Sequence, residues 1–193
     1  MKHLSISVVN RLAKLRDEGK ISECLEQALE LLPAGNECLS EPRVLLKSLI
    51  ADCHFDLKQY EEALHIYDQI VAEKPYSIAF ANRGYAKWGL GRLDEASKDY
   101  RVALKLDPTD AINTRNAADI ACKMGELKRA LLLARRASRL APQDPVPYII
   151  AALARNRQGK TDESCELLRK ALELDPSNKR ALKGLAQLHC DSK

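Results

Sequence analysis

Histidines and cysteines are the residues of this chain whose chemistry could serve catalysis or metal binding, and the chain has four and six of them. His54 lies two residues after Asp52, a spacing that points the two side chains in different directions on a helix, so they form no His–carboxylate dyad. The chain has no GxxxxGK(S/T), GxSxG or HExxH motif, and His3, His65 and His189 are scattered along it. We therefore predict a protein that is not an enzyme and that uses no metal, cofactor or small-molecule substrate.

The cysteines offer no metal site, because no two of them form a CxxC pair. Three of them fall at or next to small positions of the repeat described below, where a thiol serves as a compact apolar group. We therefore predict free, buried thiols and a reducing, cytoplasmic location. The cysteines are Cys24, Cys38, Cys53, Cys122, Cys165 and Cys190.

No apolar run approaches the roughly 18 residues that span a bilayer, so we predict no membrane span.

The sequence contains an internal repeat, which predicts the helices that carry the histidines and cysteines. Four segments begin at intervals of 33, 34 and 34 residues, and each closes with a proline, which cannot continue a helix. Small residues recur at two places in every segment, as close packing of two antiparallel helices requires. The segments begin at Val44, Ser77, Ala111 and Pro145 and close at Pro75, Pro108, Pro142 and Pro176. The small residues are Ala51, Gly84, Ala118 and Ala152 at one place and Ala63, Ala96, Ala130 and Ser164 at the other.

A turn must separate the two helices of each segment, and Gly91, Gly125 and Gly159 stand at the matching place. Glycine adopts the left-handed backbone conformation of such a turn without steric cost. Lys58 replaces glycine in the first segment. For that turn we predict either a modest conformational penalty or a slightly different geometry.

The second segment carries a clear family resemblance. It runs from Ala81-Asn82-Arg83-Gly84 through Leu90-Gly91-Arg92-Leu93-Asp94-Glu95-Ala96 to Ala103-Leu104-Lys105-Leu106-Asp107-Pro108, and this pattern resembles the tetratricopeptide repeat. The resemblance implies an all-α fold, a right-handed superhelical solenoid of antiparallel helix-turn-helix hairpins. We predict a single domain over residues 1–193, with repeats at 44–76, 77–110, 111–144 and 145–178, a divergent repeat at 5–32, a loop at 33–43 and a capping helix at 179–190.

The resemblance also implies that the first helices of successive repeats line a concave groove that binds a peptide. Asn10, Asn82 and Asn116 hold the same place in three hairpins, where a carboxamide can grip a peptide backbone or, alternatively, serve local helix packing. Phe55, Tyr85 and Trp88 are predicted as apolar anchors beside them, with burial between the repeats as the alternative. The further groove candidates are Arg115, Asp119, Ile150 and Leu153.

Some members of the family hold the acidic C-terminal tails of heat-shock chaperones with a carboxylate clamp of lysine, arginine and asparagine side chains. Asn82 matches the asparagine of the middle helix. Ser48 and Asp52 stand where the first lysine and asparagine are needed, and Ile112 and Asn116 replace the later lysine and arginine. Without these cations a terminal carboxylate lacks its charge-assisted partners, so we predict no working clamp.

Positive charge is concentrated in the C-terminal part of the chain. Residues 111–193 hold 16 Lys and Arg against 9 Asp and Glu, a net +7, whereas residues 1–110 hold 15 against 18, a net −3. A solvated outer face explains this charge, and docking of an acidic protein is the alternative; the lack of interleaved aromatic residues argues against nucleic acid.

We predict a scaffold that binds a protein or peptide as an adaptor, co-chaperone or assembly factor. The alternative is self-association into a homo-oligomer through the basic outer face or the ends of the array.

Overall fold

The computed structural model describes residues 4–32 and 41–190, and in these residues it contains eleven helices and no strand. The described residues therefore form an all-α structure in which short turns join successive helices. The helices are α1 (Ile6–Asp17), α2 (Ile21–Leu31), α3 (Glu41–Asp56), α4 (Tyr60–Glu73), α5 (Ser77–Gly89), α6 (Leu93–Leu106), α7 (Ala111–Lys123), α8 (Leu127–Leu140), α9 (Val146–Arg157), α10 (Thr161–Leu174) and α11 (Lys179–Gln187).

The chain divides into two compact units, Met1–Asp99 and Tyr100–Lys193, and the division falls inside α6. Unit 1 contains the hairpins α1/α2 and α3/α4, followed by α5 and the first half of α6. Unit 2 contains the second half of α6, the hairpins α7/α8 and α9/α10, and α11. Within each unit, successive hairpins pack side by side, α4 on α5 in unit 1 and α8 on α9 in unit 2.

Small side chains fill the contact between the two helices of each hairpin, as the repeat predicts. All eight residues at the two small places are buried. Where the small residue is Ser164, its hydroxyl donates to the carbonyl of Ala152 at 2.8 Å, which satisfies the one polar group at this contact. The N-terminal hairpin follows the same rule, because the thiol of Cys24 donates to the carbonyl of Leu12 at 3.1 Å.

The turn inside each hairpin is closed by the same pair of backbone hydrogen bonds. In one of them, Gly91 N donates to Trp88 O at 2.9 Å, and Arg92 N donates to Lys87 O at 2.9 Å. This arrangement needs a residue with positive φ, and φ lies between 74° and 80° at Gly19, Gly91, Gly125 and Gly159. Lys58 adopts the same conformation with φ 62°. The first repeat therefore keeps the common turn geometry and bears the conformational penalty.

The predicted loop at 33–43 differs at its end. Residues 41–43 form the first turn of α3, where Pro42 is compatible with a helix start. The rest of the predicted loop, including Cys38, lies outside the described residues.

The C-terminal helix α11 lies against α10 and covers its apolar face. Ala181 is fully buried with Leu168 and Ala171, and Leu185 packs against the same cluster. A disulfide joins Cys165 of α10 to Cys190 just after α11, with the two Cα atoms 6.0 Å apart. The prediction of free thiols is therefore wrong for Cys165 and Cys190, because α11 folds back and brings them together. It is confirmed for three buried cysteines, Cys24, Cys53 and Cys122.

Candidate functional site

Three aromatic rings of unit 1 form a stack near the C-terminal ends of α3 and α5. The ring centroids of Phe55 and Tyr85 are 4.1 Å apart at 20° between planes, and those of Tyr85 and Trp88 are 5.4 Å apart at 4°. Tyr85 and Trp88 share one face of α5 because they are three residues apart. Tyr85 is 42% exposed, whereas Phe55 and Trp88 are half-buried. These three rings, called the aromatic stack below, offer an ordered apolar surface with Tyr85 accessible.

Tyr60, at the start of α4, supports the aromatic stack. Its ring meets Phe55 edge-on, with centroids 5.0 Å apart and 60° between planes. The ring also lies against the backbone of Gly89, where an added Cβ would be 2.6 Å from Cδ1 of Tyr60. A larger residue at Gly89 would displace this ring and, through Phe55, disturb the stack.

Asn82 lies one helical turn before Tyr85 on α5 and is half-buried. Within the part of the chain that the structure describes, its carboxamide has no hydrogen-bond partner, so both a donor and an acceptor remain available. Asn116 of unit 2 differs, because its Nδ2 donates to Tyr100 Oη at 3.4 Å. Asn10 is exposed on α1. Of the three predicted asparagines, Asn116 therefore has a hydrogen-bond partner within its own unit, whereas Asn82 lies beside the aromatic rings without one among the described residues.

Two tyrosines at the same repeat place explain this difference. Tyr100 accepts from Asn116 on the first helix of the next hairpin. Tyr67, its equivalent in the first repeat, donates its hydroxyl hydrogen to Oδ1 of Asp52 on α3. The hydroxyl of Tyr67 therefore bonds Asp52 within its own hairpin, and Asn82 lacks the tyrosine partner that Asn116 has.

Asp52 belongs to a charged network that joins the N-terminal hairpin to α3. Arg16 Nη1 lies 3.2 Å from Asp52 Oδ2, and Arg16 Nε lies 2.7 Å from Asp56 Oδ2. Burial raises the pKa of the Asp52 carboxyl, although the Tyr67 hydrogen bond and the Arg16 charge oppose this. Burial and the nearby Asp52 charge raise the pKa of the Tyr67 hydroxyl. Asp52 is thus occupied by partners of its own chain, and its neighbour His54 bonds Gln59 rather than a carboxylate.

A second charged cluster of unit 1 was not foreseen from the sequence. The buried carboxylate of Asp99 accepts from Arg83 Nη2 at 2.6 Å, from Arg83 Nε at 2.9 Å and from Lys87 Nζ at 2.8 Å. The hydrogen bond to Asp99 raises the pKa of Arg83, against the effect of burial. Two cations at i and i+4 on α5 were the available signal. Because both already share Asp99, they do not supply the cations that a carboxylate clamp needs.

The unit 2 candidates on α7 are largely committed to ion pairs. Arg115 Nη1 lies 2.7 Å from Asp144 Oδ2, and Asp119 Oδ2 lies 3.5 Å from Lys123 Nζ. Leu153 on α9 is 36% exposed. Leu153 is therefore the apolar candidate of unit 2 that a ligand can reach directly.

Ile150 is buried, with 1% of its surface exposed, and packs against Ala118, Ala121 and Ala134. Its equivalent in the preceding repeat is Asn116, which bonds Tyr100 of the repeat before that. At the next contact between repeats, Ala134 takes the place of the tyrosine and Ile150 takes the place of the asparagine. An apolar contact thus takes the place of a polar one. We leave Ile150 out of the candidate binding surface for this reason.

The described residues contain no group of three or more His, Cys, Asp or Glu side chains that could hold a metal ion. Over the same residues, every helix is too short or too polar to cross a membrane.

Repeated antiparallel hairpins with small residues at their contacts and a closing proline define a helical-repeat protein. Two tetratricopeptide repeat models match the sequence, at residues 82–145 and 145–188. The chain belongs to the tetratricopeptide repeat family, which confirms the predicted family and the all-α fold class.

Among similar proteins, heat shock protein STI1 of Saccharomyces cerevisiae is 34% identical over 86 residues, which are 44% of this chain and 15% of that protein. Hsp70-Hsp90 organizing protein 1 of Glycine max is 22% identical over 92% of this chain and 37% of its own length. The chain thus spans well under half the length of these relatives. Among solved structures, TTC0263, a thermophilic TPR protein of Thermus thermophilus, has a TM-score of 0.74 at 20% identity, covering 95% of this chain and 97% of its own.

Proposed function

We propose that this protein binds a peptide or protein segment at the surface formed by Asn82 and the aromatic stack. It acts there as an adaptor, co-chaperone or assembly factor, without catalytic activity of its own. The observation that carries the proposal is the position of an unpartnered carboxamide one turn from an exposed, stacked tyrosine.

The chemistry of this surface fits a peptide backbone next to a bulky side chain. A carboxamide can donate to a carbonyl and accept from an amide of the same peptide unit. Stacked aromatic rings supply contact area at low entropic cost, because their neighbours already fix their side-chain angles.

The surfaces of α7 and α9, with Arg115, Asp119 and Leu153, are proposed as a separate contact region of unit 2. Asn10 is proposed as an auxiliary contact on α1.

Capture of a terminal carboxylate is not part of this proposal. Ile112, at one cation place of the clamp, is 59% exposed and apolar. Asp52, at another clamp place, brings a negative charge that Arg16 and Tyr67 already contact. A co-chaperone role of this chain would therefore rest on internal segments of a partner rather than on its acidic C-terminus.

The experiment is selection of peptides from a displayed random library on the wild-type protein, followed by calorimetry of a selected peptide with variants. We expect Asn82→Ala and Tyr85→Ala each to weaken binding by about tenfold, which is the effect of losing a moderate interface anchor. Gln187→Ala on α11 and Leu106→Ala on α6 are matched controls, because they remove an exposed carboxamide and an exposed apolar side chain elsewhere. Selected peptides that bind both site variants as tightly as the wild type would rule out this surface.

Self-association is the second candidate, and one observation favours it. Helix α4 carries Glu61, Glu62, Asp68 and Glu73 with no lysine or arginine, whereas α8 carries five lysines and arginines with no acid. Oppositely charged helices of two copies attract each other at low salt. Light scattering over a range of protein concentrations tests this candidate, and a monomeric mass throughout would remove it.

A further inference from the structure

An open groove lies between α8, α9 and α10 in unit 2. It has a volume of about 440 Å³. We call it the α8 groove; its walls include Leu132, Arg135, Tyr148, Ala151, Arg155 and Leu167. Ala134, which replaces the tyrosine of the first two repeats, also lines it. The short alanine side chains leave the floor of the groove apolar and unfilled.

Helix α8 presents a row of exposed side chains next to this groove. Lys128, Leu132, Arg135 and Arg139 are all exposed, at successive spacings of four, three and four residues that place them on one helix face. Leu132 is 69% exposed, the largest fraction among the large apolar side chains that the structure describes as exposed. The row therefore combines one bulky apolar residue with three cations.

The charge of this row is not neutralised by the protein. Within the described residues, Lys128, Arg135 and Arg139 have no ion-pair partner, and α8 contains no acidic residue. On the opposite wall, Lys170 Nζ lies 5.1 Å from the centroid of the Tyr148 ring, and Arg155 Nε lies 3.0 Å from Glu163 Oε2. The groove is therefore apolar at its floor and predominantly cationic at its rim.

We propose that the α8 groove binds an acidic peptide segment of a partner protein that carries a bulky apolar residue. The apolar residue enters the groove beside Leu132, and flanking carboxylates pair with Arg135 and its cationic neighbours. Such pairs are strong because guanidinium and carboxylate make charge-assisted hydrogen bonds. The acidic helix α4 of a second copy fits less well, because its exposed residues Glu61, Glu62, His65, Asp68, Ala72 and Glu73 include no bulky apolar side chain.

The probe is a short fluorescein-labelled peptide with two leucines four residues apart among glutamates, measured by fluorescence anisotropy at low salt. We expect Arg135→Glu and Leu132→Ser each to weaken binding by about tenfold. Arg180→Glu and Leu182→Ser on α11 are matched controls, because they make the same changes at exposed positions outside the groove. We expect both controls to bind within about twofold of the wild type, at unchanged helicity by circular dichroism.

Two control peptides separate the contributions of charge and apolar contact. A peptide with lysine for glutamate and a peptide with serine for leucine should both bind at least about tenfold more weakly. Equal losses for Arg135→Glu and Arg180→Glu would overturn the proposal, because they would mean that only net charge matters. Binding to phosphatidylserine vesicles that Arg135→Glu abolishes, without binding of the acidic peptide, would also overturn it and assign the row to a membrane surface.

Discussion

Replacement of Lys58 by glycine should stabilise the protein. Lys58 is the turn residue of the α3/α4 hairpin, with φ 62°, where the four other hairpins have glycine. The backbone hydrogen bonds are the same, since Lys58 N donates to Phe55 O at 2.9 Å and Gln59 N donates to His54 O at 2.8 Å. Its side chain is exposed and has no ion pair within the described residues. The substitution therefore changes little except the cost of the backbone conformation.

Two opposing effects set the size of this stabilisation. A residue with a Cβ atom loses roughly 1–2 kcal/mol in the left-handed region. Glycine, on the other hand, loses about 0.5–1 kcal/mol more backbone entropy on folding. The free energy of unfolding should therefore rise by about 0.5–1 kcal/mol, and the melting temperature by about 1–4 °C for a chain of this size.

Urea unfolding followed by far-ultraviolet circular dichroism measures this change. Lys58→Ala is the matched control, because it removes the same side chain but keeps a Cβ at positive φ, so it should gain nothing. Gly125→Ala should lose about 0.5–1 kcal/mol by the same two effects in reverse, since φ is 80° there and an added Cβ would have open space, which leaves only the backbone cost. If Lys58→Gly is no more stable than Lys58→Ala, the strain assigned to this turn does not exist.

Two further predictions concern pH and the disulfide. Because burial raises the pKa of Asp52, its contribution to stability is greatest below the unfolded pKa of about 3.9 and is lost as the pH rises through the folded value. The urea midpoint of Asp52→Asn minus that of the wild type should therefore increase as the pH rises above about 4. A decrease of this difference with pH would contradict the assignment. Cys190→Ser removes the disulfide, which closes a loop of 25 residues and stabilises the folded protein by about 3 kcal/mol by lowering the chain entropy of the unfolded state. Amide hydrogen exchange in α11 should be faster in the variant than in the wild type, whereas exchange in α7 should be the same in both. The same exchange rate in α11 of both proteins would refute this prediction.

The hairpins and their turns were predictable from the sequence because they depend on short-range rules. A period near 34 residues, small residues at fixed places and a glycine between two helices each restrict the backbone locally. Lys58 shows how strong the restriction is, because the turn keeps its hydrogen bonds even without glycine. The small residues are buried because the helices pack against each other there, and the repeat pattern alone was enough to predict their positions.

The partners of polar side chains were much less predictable. Asp52 and Asp99 are acidic residues on helices, and nothing in their local sequence says that one meets Arg16 and the other meets Arg83 and Lys87. These partners come from other helices, so they depend on side-chain reach across a contact and not on repeat position. The disulfide was missed for a similar reason, since it requires α11 to return to the start of α10.

The three successive contacts between hairpins show how one scaffold position acquires different roles. In unit 1, Tyr67 turns to Asp52 and leaves Asn82 available to a ligand. In unit 2, Tyr100 bonds Asn116, and at the next contact between hairpins Ala134 and Ile150 form an apolar contact in place of that pair.

Each change is local, because it exchanges one pair of side chains without altering the helices that carry them. The same exchanges generate both proposed sites: loss of the tyrosine partner frees Asn82, and loss of the tyrosine itself leaves alanine on the floor of the α8 groove. Binding specificity in this chain would therefore reside in departures from the repeat. Restoring the repeat pattern should weaken binding while preserving the fold.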